Sequence, residues 1–322
     1  IFLLGSVLSR CKKAKVAYPG GCDIGLRPID IHIKALRDLN VEVEESKGYI
    51  YCNAENFKST EISLDYPSVG ATENAILSSV LCKGNTVVHN AACEPEIVDL
   101  QNFLVKMGAK VTGAGTSVIK IYGVKTLHGT LYDAMPDRIA AGTYAIAVAM
   151  TGGAVLLDGA RYQDMRALLS KLSKTSCNII CNGDKIYIKS NGKPVSVPKI
   201  TTQPHPGFPT DLQAPMMALQ TVSDGVSIFT ENIFENRYRH VGELIKMGAD
   251  IVTNGRTAVI KGVPYLTGTE VYAQDLRGGA ALILAGLKAE GTTVVKDMRY
   301  VDRGYEKIEE VFRSLGAEVR RE

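Results

Sequence analysis

The sequence predicts an α/β protein built from repeats, with helices inside and sheets outside. Three observations carry this. The first is a recurring half-unit in which an amphipathic helix runs into a turn that usually contains glycine, then a strand, a turn and a second strand. Its anchor residues Leu39, Met107, Leu172, Met247 and Leu315 are spaced 68, 65, 75 and 68 residues apart, a regularity that marks a repeat architecture. The second is another half-unit between the anchors, an apolar Ala- and Leu-rich helix followed by Gly and a β-branched strand. The third is the character of those helices: residues 280–286 are apolar nearly all round, which places such a helix in an interior and not on a surface. Together the halves make a β-α-β-α-β-β unit, too small to bury its own apolar face, so several must pack around shared cores.

Taken in order, the first copy has a helix over 33–39 with strands near 41–43 and 48–52. An apolar helix from Asn74 leads through Gly84 to a strand at 85–88, and the second anchor helix ends at Met107 before strands at 109–111 and 117–121. The pattern repeats with a helix from Thr143 and a strand at 153–156, a helix ending at Leu172, and strands at 177–180 and 185–188. It repeats again with a helix from Pro215 and a strand at 225–228, a helix ending at Met247, and strands near 251 and 258–260. The last copy has a helix from Gly279, a strand at 291–295 and a polar helix over 302–314 expected to face solvent. Helical stretches carry apolar residues at i, i+3 and i+4, whereas strand stretches alternate or run β-branched. The Leu39 copy is expected to lack its first half. The chain opens Ile1-Phe2-Leu3-Leu4-Gly5 within an apolar pattern, without Met and without the basic n-region of a signal peptide, so it reads as starting at an interior point of a longer protein.

Composition removes several function classes. The chain has 322 residues, 45% hydrophobic and 22% charged, enough for two globular domains and far from disordered compositions. Its 37 basic and 34 acidic residues are interspersed, so no basic stripe points to nucleic acid and no charged tail to a membrane surface. The apolar run 139–150 is interrupted by Gly142 and Thr143 and falls short of the roughly 20 residues that span a bilayer. The seven cysteines are odd in number and scattered, which fits reduced thiols in the cytoplasm. Cys177 and Cys181 lack a second pair or a histidine at ligand spacing, so zinc is not expected.

One cysteine differs from the rest. Cys22 sits in Pro19-Gly20-Gly21-Cys22-Asp23-Ile24-Gly25-Leu26-Arg27-Pro28, where the glycines let the loop change shape and Arg27 would favour a thiolate. The motif alone fits a mobile reactive loop and an ordinary turn with an incidental thiol equally well.

Three stretches together with the repeat resemble one family. They are residues 19–31, the run 204–214 (Pro204-His205-Pro206-Gly207-Phe208-Pro209-Thr210-Asp211-Leu212-Gln213-Ala214), and Ile233-Phe234-Glu235-Asn236-Arg237. Further support comes from Ser68-Val69-Gly70-Ala71-Thr72, Glu94 to Asp99, Met135-Pro136-Asp137-Arg138, Asp275-Leu276-Arg277 and Asp302-Arg303-Gly304-Tyr305. The chain resembles the UDP-N-acetylglucosamine 1-carboxyvinyltransferases of bacterial peptidoglycan synthesis. The resemblance implies the enolpyruvyl transferase fold, an inside-out α/β barrel of two domains with three units each and a site in the cleft between them. Five copies are visible, so the first unit is expected to be absent, with domains at 1–134 and 135–322 and a boundary near 131–136. The family's upstream Lys-Asn pair and arginine, which help hold phosphoenolpyruvate, have no counterpart in this sequence.

The resemblance also implies a reaction and roles. The enolpyruvyl group of phosphoenolpyruvate moves to the 3-hydroxyl of UDP-N-acetylglucosamine with release of phosphate, through addition and elimination, as the first committed step of peptidoglycan synthesis. Cys22 corresponds to the general acid, able to form a covalent adduct and open to alkylation by fosfomycin. Arg27, Arg277 and Arg303 correspond to a clamp on phosphoenolpyruvate, a task suited to planar guanidinium; surface or interdomain salt bridges are the plainer reading of each arginine. Asp211 corresponds to the base, and is also expected to cap the helix starting near Leu212. The sugar nucleotide is assigned to Arg27, Pro28, Ile29, Asp30 and Ile31, to Ser68, Val69 and Gly70, whose turn offers backbone N–H groups to phosphate, and to Ile233. Tyr66 and Pro67 stand where some relatives carry a basic residue. No metal, organic cofactor or obligate protein partner is implied. Two alternatives remain open at this level: the sister enzyme acting on shikimate 3-phosphate, which lacks the Gly-Gly-Cys loop, and a non-catalytic sugar-nucleotide-binding protein.

Overall fold

The computed structural model describes residues 1–18 and 29–322. Cys22, Arg27 and Pro28 fall outside the described residues. The chain divides into two compact units, the first ending at Met135 and the second formed by Pro136–Glu322.

In the first unit, helix α1 (Leu4–Cys11) leads into strand β1 (Lys13–Ala17), and helix α2 (Asp30–Asp38) leads into β2 (Glu42–Ser46) and β3 (Tyr49–Asn53). Lys47 and Gly48 both take positive φ between β2 and β3, the two-residue hairpin geometry that matches strand twist. The sheet order is β1-β3-β2, antiparallel throughout. Next come β4 (Glu61–Ser63), α3 (Val69–Ser79), β5 (Asn85–His89), α4 (Pro95–Lys106), β6 (Lys110–Thr112) and β7 (Val118–Tyr122). They form a sheet of order β4-β5-β7-β6 in which only β4 and β5 are parallel. Helix α3 packs against α1, α2 and α4 and buries Ala71, Ala75 and Ile76 among Leu4, Leu36, Ile62 and Ile119.

The second unit repeats that winding. Helix α5 (Arg138–Thr151), β8 (Gly153–Asp158), α6 (Tyr162–Leu172), β9 (Asn178–Asn182) and β10 (Lys185–Ser190) give a sheet of order β8-β10-β9. Then β11 (Lys199–Thr201), a single 3-10 turn (Thr210–Leu212), α7 (Gln213–Thr221), β12 (Val226–Thr230), α8 (Val241–Lys246), β13 (Asp250–Asn254) and β14 (Thr257–Lys261) follow. Their sheet order, β11-β12-β14-β13, reproduces that of β4 to β7, again with the first pair parallel. Finally β15 (Glu270–Tyr272) and β16 (Val294–Lys296) pair in parallel around α9 (Leu276–Lys288), before α10 (Ile308–Ser314).

Helices α5, α7 and α9 pack on one another, and all nine residues of α7 are buried. The glycines of α5 and α9 are closely enclosed by the segments around them. A Cβ added at Gly142 would lie 2.8 Å from the Leu212 side chain, and one at Gly279 would lie 2.5 Å from Val301. Around them the strands put one face inward: Ser227 and Phe229 of β12 are buried while Val226 and Ile228 are exposed. Each fully buried residue of the size of Phe229 or Leu244 contributes roughly 1.5 to 3 kcal/mol, so Phe229→Ala would loosen this sheet. Among the described residues, no helix is long and apolar enough to cross a membrane.

The inside-out arrangement of apolar helices and outer sheets thus follows the sequence reading, and the anchors fall where helices stop. Leu39, Met107, Met247 and Leu315 are the C-caps of α2, α4, α8 and α10, and Leu172 is the last residue of α6. Two expectations need correction. The Leu39 copy does not lack its whole first half, because α1 and β1 supply a helix and a strand ahead of α2. Nor is 302–314 one helix: Lys307 takes φ +44 and the helix begins only at Ile308, whose side chain with Phe312 is buried. The turn before it lets Gly304 pass close to Leu276, 2.9 Å from where a Cβ would stand.

Candidate active site

In the second unit the run from Gln203 to Phe208 closes on itself through Gln203 N–H to Phe208 O at 3.0 Å and Gly207 N–H to Pro204 O at 2.8 Å. Phe208 is buried, and Pro209 then sets the extended backbone that enters the 3-10 turn. This presents Asp211 at the head of α7. Arg277 Nε donates to Asp211 Oδ1 at 3.1 Å, and Arg237 Nη2 donates to the same oxygen at 3.4 Å and to Thr210 O at 3.3 Å. The expected capping role is therefore not observed. The N-cap of α7 is Leu212, without a side-chain cap bond, because the 3-10 turn gives the Leu212 N–H to Pro209 O while two guanidiniums take the carboxylate.

Arg277 is the second residue of α9. Its backbone N–H and that of Gly278 donate to the buried N-cap Asp275 at 3.0 and 2.9 Å, which fixes the direction of the side chain. The guanidinium lies over the Tyr305 ring, 5.4 Å from its centroid, and the Tyr305 hydroxyl bonds Thr143 Oγ1 of α5 at 2.8 Å. Arg237 is supported in the same manner by Phe234, at 5.8 Å. Arg277 Nη1 and Arg237 Nε are buried and have no hydrogen-bond partner among the described residues. Two cations thus stand around one carboxylate, and each keeps one buried donor without a partner among the described residues.

The Asp211 side chain is 45% exposed, yet burial is the largest influence on its carboxyl and pushes its pKa up. The Arg277 charge, then the Arg237 charge and the Arg277 hydrogen bond outweigh it, so the pKa ends below the usual carboxylate range. Arg277 moves the opposite way: burial is the largest single influence and lowers it, but the Asp211 and Tyr305 charges and the hydrogen bonds to both together raise it above the usual guanidinium value. The pair is ionised together at neutral pH.

Ile233 follows β12, half-buried, in a loop tied down by Glu231. That carboxylate, 1% exposed, accepts the Ile233 and Phe234 N–H groups on Oε1 at 2.8 and 3.1 Å and the Thr210 hydroxyl on Oε2 at 3.0 Å. Arg303 is exposed on the turn that leads to Tyr305. Asp211, Arg277 and the Ile233 loop are thus gathered by these bonds.

In the first unit, Ile29 is the buried residue before α2, Asp30 is its first residue and Ile31 the next. Ser68 caps α3, its Oγ accepting the Ala71 N–H at 3.3 Å, and Val69 and Gly70 form the first turn, where a helix leaves N–H groups unsatisfied. The two segments meet at Gly70: a Cβ there would lie 3.0 Å from the His32 ring. His32 is buried, with Nδ1 2.9 Å from Asn74 Nδ2, and burial pushes its imidazole down to about 4.

The profile of the EPSP synthase (3-phosphoshikimate 1-carboxyvinyltransferase) family matches residues 1–312. Among curated proteins, UDP-N-acetylglucosamine 1-carboxyvinyltransferase 2 of Caldanaerobacter subterraneus is 53% identical over 319 residues, covering 99% of this chain and 76% of the relative. The chain belongs to the UDP-N-acetylglucosamine 1-carboxyvinyltransferase family. A second member, from Novosphingobium aromaticivorans, is 50% identical over 325 residues, covering all of this chain and 75% of its own length. The chain therefore spans about three quarters of the length of these carboxyvinyltransferases. The fold is that of the enolpyruvyl transferase NikO from Streptomyces tendae, with a TM-score of 0.87 at 22% identity over 99% of this chain and 76% of that one. EPSP synthase from Acinetobacter baumannii gives 0.70 at 19% identity, over 97% and 76%.

Against this carboxyvinyltransferase background, the residues that sequence reasoning left unassigned are Arg237, Glu231, Tyr305 and Thr143. Arg237 and Tyr305 stand inside stretches that carried the family resemblance, and that was their one signal. Glu231 and Thr143 had none, because their partners lie 21 and 162 residues away in the chain.

Proposed function

We propose that this chain transfers the enolpyruvyl group of phosphoenolpyruvate to the 3-hydroxyl of UDP-N-acetylglucosamine in the cytoplasm, with release of phosphate, and so feeds peptidoglycan synthesis. The observation that carries the reading is a carboxylate held ionised by two guanidiniums that keep unpaired donors: a base set beside an anion frame. Relatives that bear this activity in their names, about half identical over the whole chain, support it.

Cys22 gives a proton to the methylene carbon of phosphoenolpyruvate, the sugar 3-oxygen bonds to the adjacent carbon, and the hydroxyl proton passes to Asp211. Loss of a methyl proton from the tetrahedral adduct then expels phosphate and restores the double bond. Arg27, Arg277 and Arg303 hold the phosphate and carboxylate, where charge-assisted bonds are strongest. Ile29, Asp30, Ile31, Ser68, Val69 and Gly70 receive the nucleotide, and Ile233 the sugar.

Phosphate release is measured with phosphoenolpyruvate and each acceptor in turn. Turnover with UDP-N-acetylglucosamine alone is expected. Turnover only with shikimate 3-phosphate overturns the acceptor, and no turnover with either overturns the enzyme.

A further inference from the structure

The Glu231 carboxylate is one of the least accessible charges in the second unit and takes no part in the chemistry just described. Three donors converge on it: the Ile233 and Phe234 N–H groups on one oxygen and the Thr210 hydroxyl on the other. Its bonds complete a ring. Thr210 O receives Arg237 Nη2, the same nitrogen reaches Asp211 Oδ1, the Arg237 guanidinium lies over Phe234, and the Phe234 N–H returns to Glu231. The neighbouring chain is held too: Glu231 N–H donates to Arg256 O at 2.8 Å, and Asn232 N–H donates to Thr202 Oγ1 at 2.9 Å.

A rivet that only stabilised the β12 loop would need the two N–H bonds. The third bond, to the residue next to Asp211, ties that loop to the turn bearing the base. We infer that Glu231 is a positioning residue that fixes the Asp211 carboxylate relative to the Ile233 loop, so that the acceptor hydroxyl meets its base in register. The inference rests on the reading of Asp211 as base. A displacement of about 1 Å in such a pair can cost on the order of 100-fold in rate, and loss of the shared acceptor releases both segments at once.

The experiment is a double-mutant cycle in the native enzyme, read by phosphate release, with Glu231→Ala, Asp211→Asn and the pair. Glu231→Ala is expected to lower kcat about 100-fold, to raise the KM for the nucleotide sugar by much less, and to leave the KM for phosphoenolpyruvate unchanged. In the Asp211→Asn background the same change is expected to cost less than threefold, since no base is left to position. Glu231→Gln keeps an oxygen for the two N–H groups and an amide that can donate to Thr210 Oγ1, and is expected to return kcat to within about threefold of wild type. Should Glu231→Ala not fold, the cycle is run with Thr210→Val, which severs only the bond to the Asp211 turn, with a smaller fall in kcat and the same non-additivity. Additive losses in either cycle, or Glu231→Gln no better than Glu231→Ala, overturn the inference. Asp211→Asn at wild-type kcat would instead remove the base assignment beneath it.

Discussion

Replacing Arg277 with Met should change both how fast the enzyme works and the pH at which it stops. The side chain meets Asp211 at 3.1 Å and keeps a buried donor, Nη1, unpartnered among the described residues. Met fills much of the same volume over the Tyr305 ring without the charge. The interaction lost at Asp211 is bounded by about 1 kcal/mol in water and about 4 kcal/mol at an effective dielectric near 20 for charges about 4 Å apart; the half-exposed carboxylate pulls it toward the lower figure. Loss of one donor to the substrate anion adds about 2.7 to 4 kcal/mol, or 100- to 1,000-fold in kcat. The pH effect follows in sign. Asp211 sits below its usual range because Arg277, Arg237 and Arg138 together outweigh its burial, so without Arg277 its carboxyl rises and it protonates at a higher pH. The acid limb of kcat/KM should therefore move up in pH, on a plateau lowered by that 100- to 1,000-fold, when initial rates of phosphate release are recorded from pH 4 to 9. An unmoved limb with a lowered plateau would refute the claim that Arg277 keeps Asp211 ionised.

Three further outcomes are expected. Asp211→Asn should lower kcat by about 100- to 10,000-fold while dissociation of the nucleotide sugar, by calorimetry, changes far less; matched losses would leave Asp211 a binding residue. Burial depresses His32 to about 4 and depresses His240 likewise, so below about 6.5 the unfolded chain binds protons that the folded one refuses, and their contribution to stability falls as pH drops toward 4. Glu73, raised to about 7 by burial and then by Glu96 and Glu94, acts with the opposite sign from about 4.5 to 7, so the readout is the difference in melting temperature between wild type and His32→Asn, which should narrow as pH falls through that window. Gly123→Ala and Gly262→Ala should each cost about 3 kcal/mol in urea unfolding, because a Cβ would lie 1.6 Å from Cys82 O in the first and 1.7 Å from Ser223 O in the second. A neutral effect at either would show that the backbone there shifts freely.

The parts of the fold that could be read from the sequence are those set by local pattern. Each anchor from Leu39 to Leu315 lies at a helix end because one apolar face finishes there before the chain turns. The start of α10 escaped that reading, since polar residues from Asp302 onward look helical until Lys307 turns left-handed and Gly304 is drawn under Leu276. Among site residues, Asp211, Arg277 and Ile233 could be placed through stretches that resemble the family. What could not be read was their partnership. The Arg277 to Asp211 bond spans 66 residues and the Glu231 to Thr210 bond spans 21, and no periodicity reports contacts across such intervals. For Asp211, local chemistry pointed to a cap, and the distant cations decided otherwise.

The three inner helices of the second unit also set where this sequence is free to drift. Asp211 is delivered by the turn ahead of α7, Arg277 by the first turn of α9, and Tyr305 is braced from α5 through Thr143, so the Asp211–Arg277 pair inherits the positions of all three. Gly142 of α5 is closed in by Leu212 ahead of α7 and Leu168 of α6, and Gly279 of α9 by Val301 and Ala273, so neither has room for a methyl group. Neutral substitutions should accumulate on outward strand positions such as Val226, Ile228, Val252 and Val259, which stand in solvent. A change of one carbon at either glycine would be selected against twice, once through stability and once through the angle at which Arg277 meets Asp211.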